Sequence, residues 1–376
     1  MCRAYIQKVR QIMTTLTAAS KQWSTRPADE RFLSLTALND FTHSVRASSK
    51  ARQISSRGLQ AVPVEGDHKA LQVVGPTGAR VDVTNWSFGQ LAARAGAPAG
   101  YLRSLPAPMA ADCINYGLHV EREIEDVGVL LTASPETGVP RLAAVTGPQY
   151  GRIWNAQITG ALVDRFGDGV TGDFRVPGEF GQGVEVTKDN TTLYASDRDM
   201  FVFLADEKNR IELPNRRDGQ TGSMARGFFV WNSEVGSSTL GISTFLFDYV
   251  CSNRIVWGAS NISEIKIRHT GGATDRWLQE VVPAIQTYAN GSTAGIVASI
   301  EDARSRRIDD VAGFLNKRFS RSQSSAIMAA HMTDESRPIE TLWDAATGIT
   351  AYARGIAHQD ARVAIEREAG KLLEAA

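Results

Sequence analysis

Four titratable side chains in the middle of the chain have types and spacing that could support hydrolytic chemistry. Asp197 and Asp199 flank Arg198, and two carboxylates one residue apart can bind a divalent cation. Glu234, in an apolar stretch, could act as a general base, and His269 could contact a phosphate. A metal-dependent hydrolase or nuclease requires all four to converge. The D-x-D spacing alone favours a polar start of a strand over a metal site.

The motifs that would fix a reaction are missing. The sequence has no G-x-x-x-x-G-K-[ST], no H-E-x-x-H and no paired C-x-x-C. Cys251 follows Val250 and is interpreted as an inert core cysteine, with a nucleophile as the less favoured alternative. We therefore expect no catalytic residue, no metal and no cofactor, and an enzyme is the less favoured class.

Basic residues near aromatic strands indicate a surface for nucleic acid. Lys and Arg neutralise phosphates, and aromatic rings stack on bases. Four acidic residues between 206 and 218 weaken the local field, so a solvated hairpin connection is the alternative. The predicted nucleic-acid-binding residues are Arg198, Lys208, Arg210, Arg216, Arg217, Arg226, Arg254, Arg268 and His269.

The apolar segment RGFFVWNSEVG predicts a core strand that enters a turn. The strand covers 227–231, and the structural turn residues are Asn232, Ser233, Glu234 and Gly236. Gly adopts positive φ without cost, and Asn and Ser bond to nearby backbone. We expect this turn to shape a binding surface.

Composition indicates an ordinary globular chain. Its 376 residues are 43% hydrophobic and 22% charged, with a net charge of zero. Residues 1–60 carry ten Lys and Arg against three Asp and Glu, a charge of +7 that could attract nucleic acid or pair with the acidic remainder. Three widely spaced cysteines are typical of a reducing cytoplasm. Neither a membrane span nor a secretory signal is expected.

The order of elements predicts an α+β fold with a central antiparallel-rich mixed sheet, an N-terminal helical segment and a helical C-terminal third. Predicted regions are a basic helical segment over 1–60, a core domain over 61–272 and a helical region over 273–376. Thr25 is the expected cap of a helix that continues through Phe32. Residues 90–105 have helix-turn-helix spacing, but few basic groups favour a helical hairpin packed on the sheet.

Six segments together carry a family resemblance. They are QWSTRPADER at 22–31, the helical unit at 91–105, YASDRDM at 194–200, RGFFVWNSEVG at 226–236, VCSN at 250–253 and RHTG at 268–271. Over roughly residues 20–320 the chain resembles the domain-of-unknown-function family 932, the phage/plasmid-like protein group. The resemblance implies a mobile-element protein in a bacterial cytoplasm, and it supplies no catalytic residues.

Three functions remain open. The leading hypothesis is a non-enzymatic nucleic-acid-binding protein that acts in replication or recombination. Its partner would be DNA, single-stranded rather than duplex, and it could anneal strands as a homo-oligomer. The second is an interaction factor that inhibits a host defence or regulatory protein. The third is the metal-dependent hydrolase or nuclease.

Overall fold

The protein is described by a computed structural model that covers residues 27–134, 137–177, 185–189, 191–214, 219, 221–248, 253–255, 264–356 and 359–374. The strands are β1 Arg31–Phe32, β2 Lys50–Ser55, β3 Gln60–Val64, β4 Asp67–Val74, β5 Arg80–Val83, β6 Asp126–Ala133, β7 Pro140–Thr146, β8 Phe174–Arg175, β9 Leu193–Ala195, β10 Met200–Asp206, β11 Ile211–Leu213, β12 Gly222–Asn232, β13 Leu240–Asp248, β14 Asn253–Ile255 and β15 Glu264–Ile267. The α-helices are α1 Leu35–Ser48, α2 Asn85–Arg94, α3 Ala99–Leu102, α4 Ala107–Tyr116, α5 Asn155–Phe166, α6 Ala273–Arg276, α7 Val282–Asn290, α8 Ala294–Ser305, α9 Val311–Asn316, α10 Arg321–Glu335, α11 Leu342–Arg354 and α12 Gln359–Glu374. The predicted α+β class is confirmed.

Among the described residues, the larger sheet has nine strands, and every pair of them is antiparallel. Its main order is β1-β9-β10-β12-β13-β14, with β8, β11 and β15 paired to β10, β12 and β13. Side chains alternate between faces along the strand. Phe228 and Val230 of β12 enter the core under α1, α5 and α7, whereas Phe229 and Trp231 join an aromatic cluster with Phe203 and Phe245.

The smaller sheet has six strands in the order β2-β6-β7-β5-β4-β3. It is mixed, because β5 and β7 run parallel while its other described pairs are antiparallel. Leu91 of α2 and Ile114 of α4 pack in the core on one side of this sheet. Leu130 and Ala144 belong to a separate cluster around Val235, a residue that follows β12 of the other sheet. The single central sheet expected from sequence is therefore two sheets that meet at the end of β12.

The described part of residues 1–60 belongs to the core and does not form a separate segment. Strand β2 pairs with β6 along its whole length, and α1 packs with α5. The predicted helix through Phe32 is wrong, because Arg31 and Phe32 pair with β9 as a strand. Ser34 caps α1 instead, accepting the Ala37 amide at 3.1 Å, while Thr25 lies outside the described residues.

The helical C-terminal third is confirmed, and it has its own core. Trp343 of α11 packs with Ile300 and Ile327, and the cluster includes Met224 and Leu246 at the far ends of β12 and β13. No helix among the described residues is long and apolar enough to cross a membrane.

Arg226 joins the large sheet to this helical region from a buried position. Its Nε donates to Oδ2 of the fully buried Asp206 at 3.0 Å. The guanidinium also donates to the carbonyls of Tyr288, Ala289 and Gly291, which end α7. The last carbonyls of a helix lack partners within it, so this arginine satisfies them and carries the charge that the helix terminus favours.

Replacing Arg226 with Met is expected to lower the free energy of unfolding by about 3–5 kcal/mol, because Asp206 is left buried without its charged partner. Urea unfolding followed by circular dichroism measures the change. Arg276→Met is the matched control, since Arg276 pairs with Glu280 at an exposed position and its loss should leave the urea midpoint unaltered. A wild-type midpoint for R226M would contradict the structural role.

Candidate functional site

The segment Asn232–Gly236 forms a buried turn where β12 ends. Asn232 and Ser233 are fully buried, and Glu234 is 8% exposed. Gly236 has a φ of 84°, a left-handed conformation that favours glycine. The predicted strand-and-turn structure of this segment is confirmed, and we call residues 232–236 the signature turn.

Two carbonyls of the signature turn accept hydrogen bonds from the loop between β7 and α5. The Tyr150 hydroxyl donates to the Ser233 carbonyl at 2.9 Å, and the Arg152 guanidinium donates to the Glu234 carbonyl. Burial raises the pKa of Tyr150 well above its usual value, so this hydroxyl stays protonated as a donor.

The next carbonyl, that of Val235, is held by helix α2. Trp86 Nε1 and Gln90 Nε2 donate to it at 2.9 and 2.8 Å. The Val235 side chain packs with Leu130 and Ala144 of the smaller sheet. Each of three consecutive carbonyls thus has a side-chain donor from the β7–α5 loop or from α2.

Side chains of the turn reach back to the start of α5. Asn232 Nδ2 donates to the Ile153 carbonyl at 2.9 Å and to Asn155 Oδ1 at 2.7 Å. The Asn155 amide, at the beginning of α5, donates to Glu234 Oε1 at 2.6 Å. Glu234 therefore accepts one of the amides that a helix start leaves unpaired.

The RHTG segment packs against the same loop. The Gly151 amide donates to the His269 carbonyl, and His269 Nδ1 contacts the Gly151 carbonyl, both at 3.1 Å. The imidazole stacks on Tyr150 with ring centroids 5.0 Å apart. Burial lowers the pKa of His269, which favours a neutral ring that donates through Nδ1. His269 is a structural contact here.

The D-x-D motif lies in a hairpin turn between β9 and β10. The Ser196 amide donates to the Asp199 carbonyl at 2.8 Å, and Ser196 Oγ donates to Asp199 Oδ1 at 3.0 Å. The Arg198 carbonyl accepts from Ser233 Oγ at 2.6 Å and from Ser237 Oγ at 3.0 Å. The signature turn thereby fixes the backbone of Arg198.

Arg198 borders an open groove along α2. Its guanidinium lies over the ring of Trp86, 4.8 Å from the centroid, and Arg103 lies over Phe88 at 5.0 Å. The groove has a volume of about 630 Å³. Its described lining contains two arginines and no carboxylate, and consists of Asn85, Trp86, Gly89, Gln90, Ala93, Arg103 and Arg198. We call it the Trp86 groove.

The other predicted binding residues do not join Arg198 in the Trp86 groove. Arg226 is buried, so its assignment as a nucleic-acid contact was wrong. Lys208 pairs with Asp173 at 3.0 Å, and Arg210 pairs with Glu207. Arg268 is exposed next to His269. Outside the described residues or side chains lie Arg216, Arg217 and Arg254.

The four residues of the hydrolase alternative do not form a metal site. Among the described residues, no group of three or more His, Cys, Asp or Glu side chains is placed to hold a metal ion. His269 is occupied with Gly151 and Tyr150, and Asp199 with Ser196.

The described helix-turn-helix candidate is a hairpin, because α3 is only four residues long and Leu102 is buried in the core with α2.

Sequence reasoning considered Arg103 only as a weak recognition-helix residue, and it missed the groove role of Trp86 and the loop that carries Tyr150 and Arg152. The available signal was the run YGRIWN at 150–155, where aromatic and polar residues separate a strand from a helix. Nothing local in this run indicates its partners, which lie about eighty positions later.

Comparison with protein families matches residues 181–358 to the family described as Domain of unknown function (DUF932). This match confirms the resemblance inferred from sequence and contains YASDRDM, NSEVG and RHTG, whereas the segments at 22–31 and 91–105 lie outside it. Neither the curated proteins nor the solved structures include a match to the chain.

Glu234 should make the stability of the protein depend on pH. Burial raises its pKa to about 7, although the Asn155 amide and the charges of Arg152 and Arg46 act in the opposite direction. The folded pKa exceeds the unfolded value of 4.5, so the unfolded chain loses this proton first and stability falls as pH rises from about 4.5 to 7. At about 1.4 kcal/mol per pKa unit, the loss reaches about 3 kcal/mol.

Glu234→Gln keeps an acceptor for the Asn155 amide but cannot ionise. The difference in unfolding free energy between pH 5 and pH 8, from urea titrations, should therefore lose this component in E234Q. The lowered pKa of His269 makes stability rise with pH, which is opposite to the effect of Glu234. Because His269 is present in both proteins, its contribution cancels when they are compared. An identical pH dependence for the two proteins would show that Glu234 does not titrate in this range.

Proposed function

We propose that the protein, whose residues 181–358 match the family described as Domain of unknown function (DUF932), binds single-stranded nucleic acid in the Trp86 groove. The observation that carries the proposal is the pair of arginines in a groove whose described lining has no carboxylate. One of them, Arg198, lies over Trp86.

The chemistry of this pair suits a single strand. Guanidinium groups neutralise phosphates and also stack on bases, so a base could lie on the outer face of the Arg198 plane. The inner face of that plane is already held by Trp86 at 4.8 Å. Because Trp86 is itself fixed by the Val235 carbonyl, the guanidinium is positioned before a ligand arrives.

A duplex fits the described surface less well. Reading a major groove requires a helix or ribbon that can enter it. The second helix of the α2–α3 hairpin has four residues and supplies no such element. The adjoining surface, which shares Gln90 and Ala93 with the Trp86 groove, has mixed charge because Arg94 pairs with Glu125.

Several finer points of the hypothesis remain predictions. They are a role in replication or recombination, annealing by a homo-oligomer, the cytoplasm of a bacterial host and a mobile-element origin. A host-protein partner also remains a prediction. The exposed apolar side chains of Met109, Tyr116 and Val120 are the observation that favours a protein partner.

Arg198→Gln should weaken binding of a fluorescein-labelled 20-nucleotide oligo(dT) about 5- to 30-fold at 50 mM NaCl, the effect of about 1–2 kcal/mol for one stacked cation. Fluorescence anisotropy measures the affinity. In a series from 25 to 200 mM NaCl, the slope of log affinity against log salt should fall by about 0.7 if one phosphate contact is lost. R103Q should act in the same direction.

Arg307→Gln is the charge-matched control. Arg307 is exposed and pairs with Glu340 in the C-terminal helical region. That region packs at the Met224 end of β12, whereas the Trp86 groove adjoins the Asn232 end, about 35 Å away along an eleven-residue strand. If wild-type protein shows no salt-sensitive binding, or if R198Q and R307Q bind equally, the proposal is wrong.

A further inference from the structure

A second concavity lies on the other side of Arg198, between strands β6 and β7 and the β9–β10 hairpin. It is a partly open cavity of about 330 Å³, near the lower limit for small-molecule sites. Glu234 and Val235 of the signature turn line it, together with the first residue of α5. Neither the family match nor the proposed nucleic-acid function assigns a role to it.

The charge of this cavity is opposite to that of the Trp86 groove. Its described lining contains four carboxyl groups, on Asp29, Glu30, Asp197 and Glu234, and two guanidinium groups, on Arg141 and Arg198. The Arg198 guanidinium is turned towards Trp86. Anions are therefore disfavoured inside, and a phosphate-bearing ligand belongs in the groove.

Glu234 has one carboxylate oxygen that the described protein does not use. Oε1 accepts the Asn155 amide, whereas Oε2 has no hydrogen-bond partner among the described residues. The side chain is more than nine-tenths buried and lines the cavity. Solvent reaches this oxygen, so a donor that enters the cavity can bond to it without displacing a protein partner.

We propose that this cavity binds a small organic cation in which an alkyl chain carries a terminal ammonium group. The ammonium would donate to Glu234 Oε2 and face the Asp197 carboxylate. The alkyl chain would pack on the apolar side of the cavity, which Phe41, Val45 and Leu130 provide. An ammonium group is a compact charge with three donors, which suits carboxyl groups that converge from different elements.

Cation binding in this site is coupled to the proton of Glu234. Burial raises the pKa of Glu234 to about 7, while Arg152 and Arg46 lower it. An ammonium ion prefers the ionised carboxylate, so binding releases the proton and affinity grows with the ionised fraction. That fraction rises about tenfold between pH 6 and pH 8 for a pKa of about 7. The carboxyl groups of Asp29, Glu30 and Asp197 lie in the same lining and also attract a cation.

Isothermal titration calorimetry of the full chain with butylamine tests the proposal, with 1-butanol and butyrate as neutral and anionic probes of the same length. We expect saturable one-to-one binding of butylamine alone, about tenfold tighter at pH 8 than at pH 6. A further probe is a lysine whose α-amino and α-carboxyl groups are both blocked. If it binds more tightly than butylamine, the natural source of the cation is a peptide. No saturable binding, equal binding of butanol, or a pH-independent affinity would overturn the proposal.

Variants separate this site from the nucleic-acid groove. E234Q should abolish the pH dependence and weaken amine binding about tenfold. Asp197→Asn, at an exposed position that does not endanger folding, should weaken it about two- to fivefold. Arg198→Gln should instead strengthen amine binding, because it removes a like charge from the lining, while it weakens oligo(dT) binding. If R198Q binds the amine more weakly than the wild type, the cation site is assigned wrongly. This test does not depend on whether the protein binds oligo(dT).

Discussion

The arrangement of the two sheets depends on three consecutive backbone carbonyls, those of residues 233, 234 and 235. They follow the end of β12, and each accepts a hydrogen bond from a side chain. Tyr150 donates to the first, Arg152 to the second, and both Trp86 and Gln90 to the third. Buried carbonyls without partners are costly, so the turn and its donors must keep one relative position. Both concavities next to Arg198 follow from this constraint, because Ser233 and Ser237 bond to the backbone of that arginine.

The two concavities on either side of Arg198 carry opposite charge. On one side Arg198 lies over Trp86, where the described lining has cations and no carboxylate. On the other side Glu234 lines a cavity whose described lining contains four carboxyl groups and two guanidinium groups. The tip of the β9–β10 hairpin, which the Ser233 and Ser237 hydroxyls hold, lies between the two. The charge of the groove suits an anionic chain, and the charge of the cavity suits a small cation.

The sequence predicted those parts of the structure that depend on neighbouring residues, such as single strands and turns. The strand before Asn232 and the turn at Gly236 follow from an apolar run and a glycine that can adopt positive φ. The role of Arg226 could not be predicted in this way, because its neighbours in sequence are apolar residues and a glycine, while its partners, Asp206 and the end of α7, lie 20 to 65 positions away. For the same reason one sheet was expected where two exist. Strand periodicity shows which residues are buried, but pairing over long distances decides which strands share a sheet.

The most direct test of the junction is hydrogen–deuterium exchange, read by mass spectrometry, in the variant Gly151→Ala. A Cβ at residue 151 would lie 1.8 Å from the Thr270 carbonyl oxygen, so the β7–α5 loop would have to move away from the RHTG segment. The matched control is Gly271→Ala in that segment, where a Cβ meets no atom within 4 Å. We predict faster exchange at 147–155 and 232–237 in G151A alone, with unchanged protection in α11. Unchanged exchange at both segments in G151A would contradict the view that this junction holds the sheets together.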